Sequence, residues 1–325
     1  MKRRRLLTAA IALVTRPAVA AAQGATKYRV AVVELAKETP EHKTQQQALR
    51  SAMRELGYIE GSNVTIDWRY ADNDLGRLRA LVSEVIALGP DVLLGFETVA
   101  QAMRERTTSI PIVLTGGFDP VRAGLARSLR HPGFNVTGST QIMDELTAKH
   151  FEILRQIIPR LSRVGQLVET TSPGCRIIEE HARRSAQELG IAFIPYTVGN
   201  QNEIERAFAR MEKERPDALL PCPSPVLFSL REVLFQNAVR LHIPFTSYVV
   251  TNLPLGVLFA YAATIDEGYR RAALYVDKIL RGAKAGELPI EQPSRVQFVI
   301  NLRTAKAFGL DIPRPLLLRA DRVIE

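Results

Sequence analysis

The chain reads as an α/β protein with two similar lobes in tandem, each built on a parallel sheet, around a shared cleft. Three observations predict this. Short apolar strands alternate with amphipathic helices along the whole chain. The strands are near-continuous hydrophobic runs, as strands buried on both faces require. The alternation runs to about residue 138 and then starts again at Glu145. A length of 325 residues suits two domains. No apolar run beyond the first twenty residues is long enough to cross a bilayer.

In the first half, Lys27–Leu35 is an apolar strand, followed by a helix over Thr44–Leu56 that Gly57 closes. Val64–Arg69 alternates as a strand, Leu78–Leu88 is an amphipathic helix, Asp91–Phe96 a strand and Val99–Thr107 a helix. Ser109–Gly138 is the richest stretch. Its strand Pro111–Leu114 stops at Gly116-Gly117-Phe118-Asp119-Pro120, a helical pattern follows, and Val136–Ser139 is a short strand. In an open α/β sheet ligands sit beyond the carboxyl ends of the strands, so this glycine turn is the first candidate site.

The second half gives helices at Glu145–Ile158, Cys175–Leu189, Glu203–Glu214 and Val226–Leu241. Strands fall at Val164–Val168, Ala192–Val198, Asp217–Leu220, Ile243–Ser247 and Val257–Ala262. Helix Ile265–Leu280, strand Arg295–Ile300 and a short helix Arg303–Phe308 complete the chain, with Pro313 and Pro315 beyond.

The N-terminus has the form of an export signal, placed at residues 1–22. Met1–Arg5 is basic, Leu6–Val14 is a short apolar core, and Ala18–Ala22 offers small-residue cleavage sites. Arg3-Arg4-Arg5-Leu6-Leu7 fits both a Sec and a twin-arginine signal. The expected location is therefore the periplasm. Losing Lys2, Arg3, Arg4, Arg5 and Arg16 takes the formal charge from +9 to +4, with 38 basic against 34 acidic residues. That mild, dispersed charge gives no nucleic-acid footprint. Cys175 and Cys222 would meet an oxidising compartment; a disulfide and two separate, partly buried thiols both fit the sequence.

Enzyme signatures are missing. There is no G-x-S-x-G, G-x-x-x-x-G-K-[ST], H-E-x-x-H or G-x-G-x-x-G, and the five histidines are scattered without metal-ligand spacing. The expectation is a non-enzyme without cofactor or metal.

An ordered set of motifs resembles the family of ABC-transporter substrate-binding proteins that includes the tryptophan-binding proteins. The motifs are Leu56-Gly57-Tyr58 with Glu60-Gly61 and Asn63-Val64; Ser109-Ile110-Pro111-Ile112-Val113; Asp119-Pro120-Val121; Pro132-Gly133 with Asn135-Val136-Thr137-Gly138; Tyr275–Leu280; and Val299-Ile300-Asn301-Leu302 through Ala305-Lys306. The resemblance runs from about residue 27 to the end. It implies a type I periplasmic-binding-protein fold: two Rossmann-like lobes joined by a hinge of several crossing segments. Lobe one would be 28–138 plus 263–283, and lobe two 139–262 plus 284–325. It also implies a monomer that captures a small organic solute, an amino acid or an aromatic or organic acid, and presents it to an ABC permease in the inner membrane. A sensor that shows its closed form to a membrane receptor would share the fold.

A cleft binder places its contacts on loops at the strand C-termini. The candidate ligand-binding residues are Glu34, Phe96, Glu97, Thr98, Gly117, Phe118, Asp119, Glu169, Thr170, Thr171, Ser224 and Tyr248. Phe96, Phe118 and Tyr248 suit an apolar or aromatic group, or plain packing. Glu97 and Thr98 suit a polar ligand group, or solvent exposure and a helix cap. Asp119 suits a ligand ammonium, or a turn before proline. Glycine in the Gly116–Asp119 turn would let backbone N–H groups approach a carboxylate. The stretch Glu34–Lys37 departs from the family pattern, which has a Ser/Gly-containing turn there. A buried carboxylate at Glu34 favours a ligand with an amino group; pairing of Glu34 with Lys37 or Arg69 is the simpler alternative.

Overall fold

The computed structural model describes residues 27–141, 143–169, 172–263, 265–292 and 296–325. The export signal expected at residues 1–22 lies outside the described residues, as do Thr170 and Thr171.

The first lobe is a five-stranded parallel sheet ordered β2-β1-β3-β4-β5. Its strands are β1 (Tyr28–Glu34), β2 (Val64–Tyr70), β3 (Val92–Phe96), β4 (Ile112–Gly116) and β5 (Val136–Gly138). Helices α1 (Pro40–Glu55), α2 (Leu75–Ala87) and α3 (Glu97–Arg104) connect the first four strands. Both faces of the sheet are covered, which explains the unbroken apolar run of β1. Val30 and Val32 pack toward α1, while Ala31 and Val33 pack toward α2 and α3. Asp74 starts α2 by accepting the N–H groups of Gly76 and Arg77.

The expected helix after the glycine turn does not form. Ala123 closes one turn onto the Asp119 carbonyl, then Gly124 adopts φ +72° and the N–H groups of Leu125 and Ala126 turn back to the Pro120 carbonyl. The left-handed residue ends the helical hydrogen-bond ladder after a single turn. Segment 117–135 is therefore an irregular loop over the sheet edge.

The second lobe contains α4 (Met143–Ile157), β6 (Arg163–Glu169), α5 (Pro173–Glu188), β7 (Ala192–Val198), α6 (Gln201–Glu214) and β8 (Ala218–Leu219). The helix expected over Val226–Leu241 is two helices, α7 (Pro225–Ser229) and α8 (Arg231–Arg240). Leu230, at φ −98° and ψ 9°, separates them, and no Gly or Pro marks the break. Then follow β9 (Thr246–Ser247), β10 (Phe259–Ala263), α9 (Ile265–Leu280), β11 (Val296–Asn301), α10 (Leu302–Ala307), α11 (Arg314–Arg319) and β12 (Arg322–Ile324). Helix α11 and strand β12 lie beyond the elements the sequence predicts. Pro313 and Pro315 sit at the start of a helix, where a missing N–H costs nothing.

Strands β7-β6-β8 form one parallel sheet and β12-β11-β10-β9 another, bridged where Leu219 pairs with Phe245. One pairing departs from the all-parallel expectation: β11 runs antiparallel to β10. Between these two strands the chain leaves for the first lobe. Helix α9 lies there against α1 and β4, and Ala285 and Ile290 join the first-lobe cores. The crossing segments are themselves paired, Thr140 N–H to the Glu291 carbonyl and Glu291 N–H to the Gly138 carbonyl. Cys175 and Cys222 form a disulfide with Cα atoms 5.8 Å apart. It ties the start of α5 to the loop after β8. Among the described residues no helix is long and apolar enough to cross a membrane.

Candidate binding site between the lobes

A cavity of about 200 Å³ lies where the carboxyl ends of the strands of the two lobes face each other. Five candidates from the sequence line it: Glu34, Phe96, Phe118, Ser224 and Tyr248. The first three come from lobe one and the last two from lobe two, so both lobes contribute to the cavity.

Glu34 is the last residue of β1 and only 8% exposed. It pairs with neither Lys37 nor Arg69; its carboxylate accepts a hydrogen bond from the Tyr269 hydroxyl on α9. Burial pushes the Glu34 carboxyl up to about 7, against the opposing effect of the Tyr269 bond. Phe96 and Phe118 meet edge-to-face, with centroids 5.2 Å apart. Ser224 caps α7, its Oγ accepting the Leu227 N–H. The Tyr248 hydroxyl bonds Thr147 at 2.9 Å, and its ring lies 4.4 Å from His150. His150 is itself fully buried and held near 3, neutral, by desolvation. Leu227, Leu234, Phe235 and Val249 complete an apolar lobe-two wall.

The glycine turn is built differently from the expectation. Glu97, 3% exposed, folds its Oε2 over the turn and accepts the N–H groups of Phe118 and Asp119, each at 2.9 Å. These donors are thus occupied by a protein carboxylate. Burial raises the Glu97 carboxyl, and the two N–H bonds oppose that rise. A Cβ at Gly117 would stand 2.8 Å from Glu97 Oε2, so glycine is required for this arrangement. Asp119 accepts the N–H groups of Val121 and Arg122. Thr98 is the second residue of α3, whose N-cap is Phe96, so it does not cap the helix. Glu97, Thr98, Gly117, Asp119 and Glu169 do not line the cavity.

Several lining residues carry no sequence signal that singles them out. Tyr269 is distant from Glu34 in the chain and reaches it only because α9 returns to lobe one. Thr140 follows the first crossing, and Asn252 sits in a short turn after β9. Two contacts bridge the lobes beside the cavity. The Phe118 ring from lobe one rests on Gly174 at the start of α5, where a Cβ would come within 2.0 Å of the ring. Nearby, Arg122 and Glu180 pair across the cleft at 2.9 Å.

A two-lobed α/β molecule with a ligand-sized cavity between its lobes is the architecture of a type I periplasmic binding protein. The family model described as ABC transporter substrate binding protein matches residues 29–324, and the chain belongs to that family. A tyrosine-binding protein of Clostridioides difficile is 24% identical over 261 residues, 80% of this chain and 74% of that protein. A conserved domain protein of Vibrio cholerae is 26% identical with a TM-score of 0.86, covering 92% of this chain and 100% of that one. An ABC domain from Streptococcus pneumonia in complex with L-Trp is 21% identical with a TM-score of 0.85, covering 92% and 100%. The ligand-free, open structure of a substrate-binding protein with adhesive properties from Clostridium difficile is 22% identical with a TM-score of 0.66, covering 91% and 99%.

Proposed function

We propose that this protein captures an amino acid with an aromatic or large apolar side chain and delivers it to an ABC importer. The observation that carries this is the cavity itself. Its apolar walls, with Phe96, Phe118 and Tyr248, suit such a side chain, while the buried Glu34 carboxylate suits an ammonium. The L-Trp complex of one structural relative and the tyrosine-binding name of another relative support the same class.

Glu34, Phe96, Phe118, Ser224 and Tyr248 are the ligand contacts in this reading. Glu97, Gly117 and Asp119 shape the turn that carries Phe118. The expected division is 28–138 plus 263–283 and 139–262 plus 284–325; packing of Ala285 and Ile290 with the first cores supports moving the second boundary to about residue 291. Export by the N-terminal signal puts the mature monomer in the periplasm. Its lobe tips meet the permease of the inner membrane, and the ligand leaves chemically unchanged.

The test is a thermal-shift screen of the mature protein against the twenty amino acids and a set of aromatic and organic acids. L-tyrosine, L-tryptophan or L-phenylalanine should raise Tm in a concentration-dependent way, as a ligand bound only by the native state must. A screen with no shift, or a shift confined to sugars, would overturn the reading.

A further inference from the structure

Helices α7 and α8 put one stripe of side chains on the lobe-two wall. Leu227, Phe228, Arg231, Leu234 and Phe235 recur at three- and four-residue spacing, and all five line the cavity. Four are apolar. Arg231 is the exception, and among the described residues it is the one charged side chain that lobe two brings to this wall. It is the first residue of α8, directly after the break at Leu230. Its guanidinium carbon lies 4.2 Å from the centroid of the Phe228 ring, and Nη1 donates to the Phe228 carbonyl at 2.8 Å. Ring and carbonyl together fix the guanidinium against the wall. Phe228 and Arg231 are partly exposed, unlike the buried Leu227, Leu234 and Phe235 beside them. The lobe-one wall has the opposite character. It contributes two carboxylates, Glu34 and Glu267, and one guanidinium, Arg271. Arg271 is engaged by Glu267 at 2.9 Å and by Glu291 of the crossing segment at 2.6 Å. By formal charge, then, lobe one offers an acidic wall and lobe two a basic point in an apolar one.

We propose that Arg231 binds the carboxylate of the solute, so that the two charged ends of one amino acid are held by different lobes. This rests on the amino-acid reading above and deepens it. A guanidinium presents its N–H donors in a fixed fork that matches a carboxylate, and a group already held in place loses little freedom on binding. Opposite signs on opposite walls suit a ligand that carries one charge of each sign. The arrangement selects for the free carboxylate. An amide of the same amino acid keeps the side chain and the ammonium but has no charge to offer Arg231. It also couples binding to closure, because a solute bonded to Arg231 and to the lobe-one wall bridges the cleft.

Calorimetry of the mature protein with L-tyrosine, L-tryptophan, L-tyrosinamide and L-tryptophanamide tests this. Wild type should bind at least one of the two amino acids, and its amide about tenfold to a hundredfold more weakly, the worth of hydrogen bonds between charged groups. Arg231→Gln should weaken binding of the amino acid by about the same factor and leave the amide within about threefold of its wild-type affinity, because the pairing it removes is one the amide never made. The preference for acid over amide therefore collapses. A purely structural role for Arg231 would weaken both ligands alike and leave the preference intact. Loss of both ligands together in Arg231→Gln, or of neither, would overturn the proposal, as would equal binding of acid and amide by the wild type. A wild type that binds none of the four ligands overturns the amino-acid reading itself, and this inference with it.

Discussion

Glu34 ends a strand whose other core residues are all apolar, and its charge depends on pH. Burial holds its carboxyl at about 7 rather than the ordinary 4.5, so the folded state binds a proton that the unfolded chain would release. The resulting stability is fully present below pH 4.5 and is lost as pH rises through 7. Each pH unit between those two values is worth about 1.4 kcal/mol, so the whole effect is about 3 kcal/mol. Glu34→Gln should flatten that part of the stability profile between pH 4.5 and 8, measured by urea unfolding of the ligand-free protein. An ammonium ligand favours the ionised carboxylate. Wild-type affinity for L-tyrosine or L-tryptophan should therefore climb from pH 6 to pH 8, and Glu34→Gln should lose the climb. An affinity flat across that range in wild type would remove Glu34 from the ammonium site. The carboxylate at the strand end is legible in the sequence. Its Tyr269 partner is not, because that hydroxyl arrives from a helix in the other half of the chain.

Among the elements, the loop after β4 and the start of α5 depend on each other. The apolar spacing of the loop fits a helix, yet Gly124 in a left-handed conformation and the Glu97 carboxylate over Gly117 hold it open. That shape is what brings Phe118 to Gly174. On the opposite wall the Cys175–Cys222 disulfide fastens α5 to the loop carrying Ser224. It spans a sequence separation of 47 residues, for which loop-closure entropy predicts about 4 kcal/mol. Replacing both cysteines by alanine should lower Tm by roughly 10 °C in a scanning calorimeter. It should also weaken ligand binding, since Cys222 lines the cavity. A Tm within a degree of wild type would mean that packing alone holds the wall.

For the whole molecule, the contact of Phe118 with Gly174 and the Arg122–Glu180 pair belong to a closed arrangement. The pair is half exposed and worth less than about 1 kcal/mol. The ring contact is buried and sterically demanding, so closure leans on it. Gly174→Val should leave the ligand-free Tm near wild type, because each lobe keeps its own core. It should prevent full closure: small-angle scattering would show no contraction on adding the ligand that contracts the wild type, and dissociation would be faster. Contraction identical to wild type would show that the lobes close without this contact.

The sequence by itself determined much of the local structure, the two-lobed class and the family, though not the loop over 117–135, the break at Leu230 or the last helix and strand. Those features rest on short-range periodicity and backbone preferences, which neighbouring residues carry. The motifs for Glu34, Phe96, Phe118, Ser224 and Tyr248 were legible for the same reason, since each stands at the C-terminal end of a strand or just after one. Only the tertiary structure decided the rest. Glu97 became a brace for the turn rather than a cavity residue, the two cysteines met, and Tyr269, Thr140 and Asn252 entered the cavity wall. Each of those outcomes depends on segments distant in the chain being brought together by the crossings between lobes, and no local pattern of residues records such a meeting.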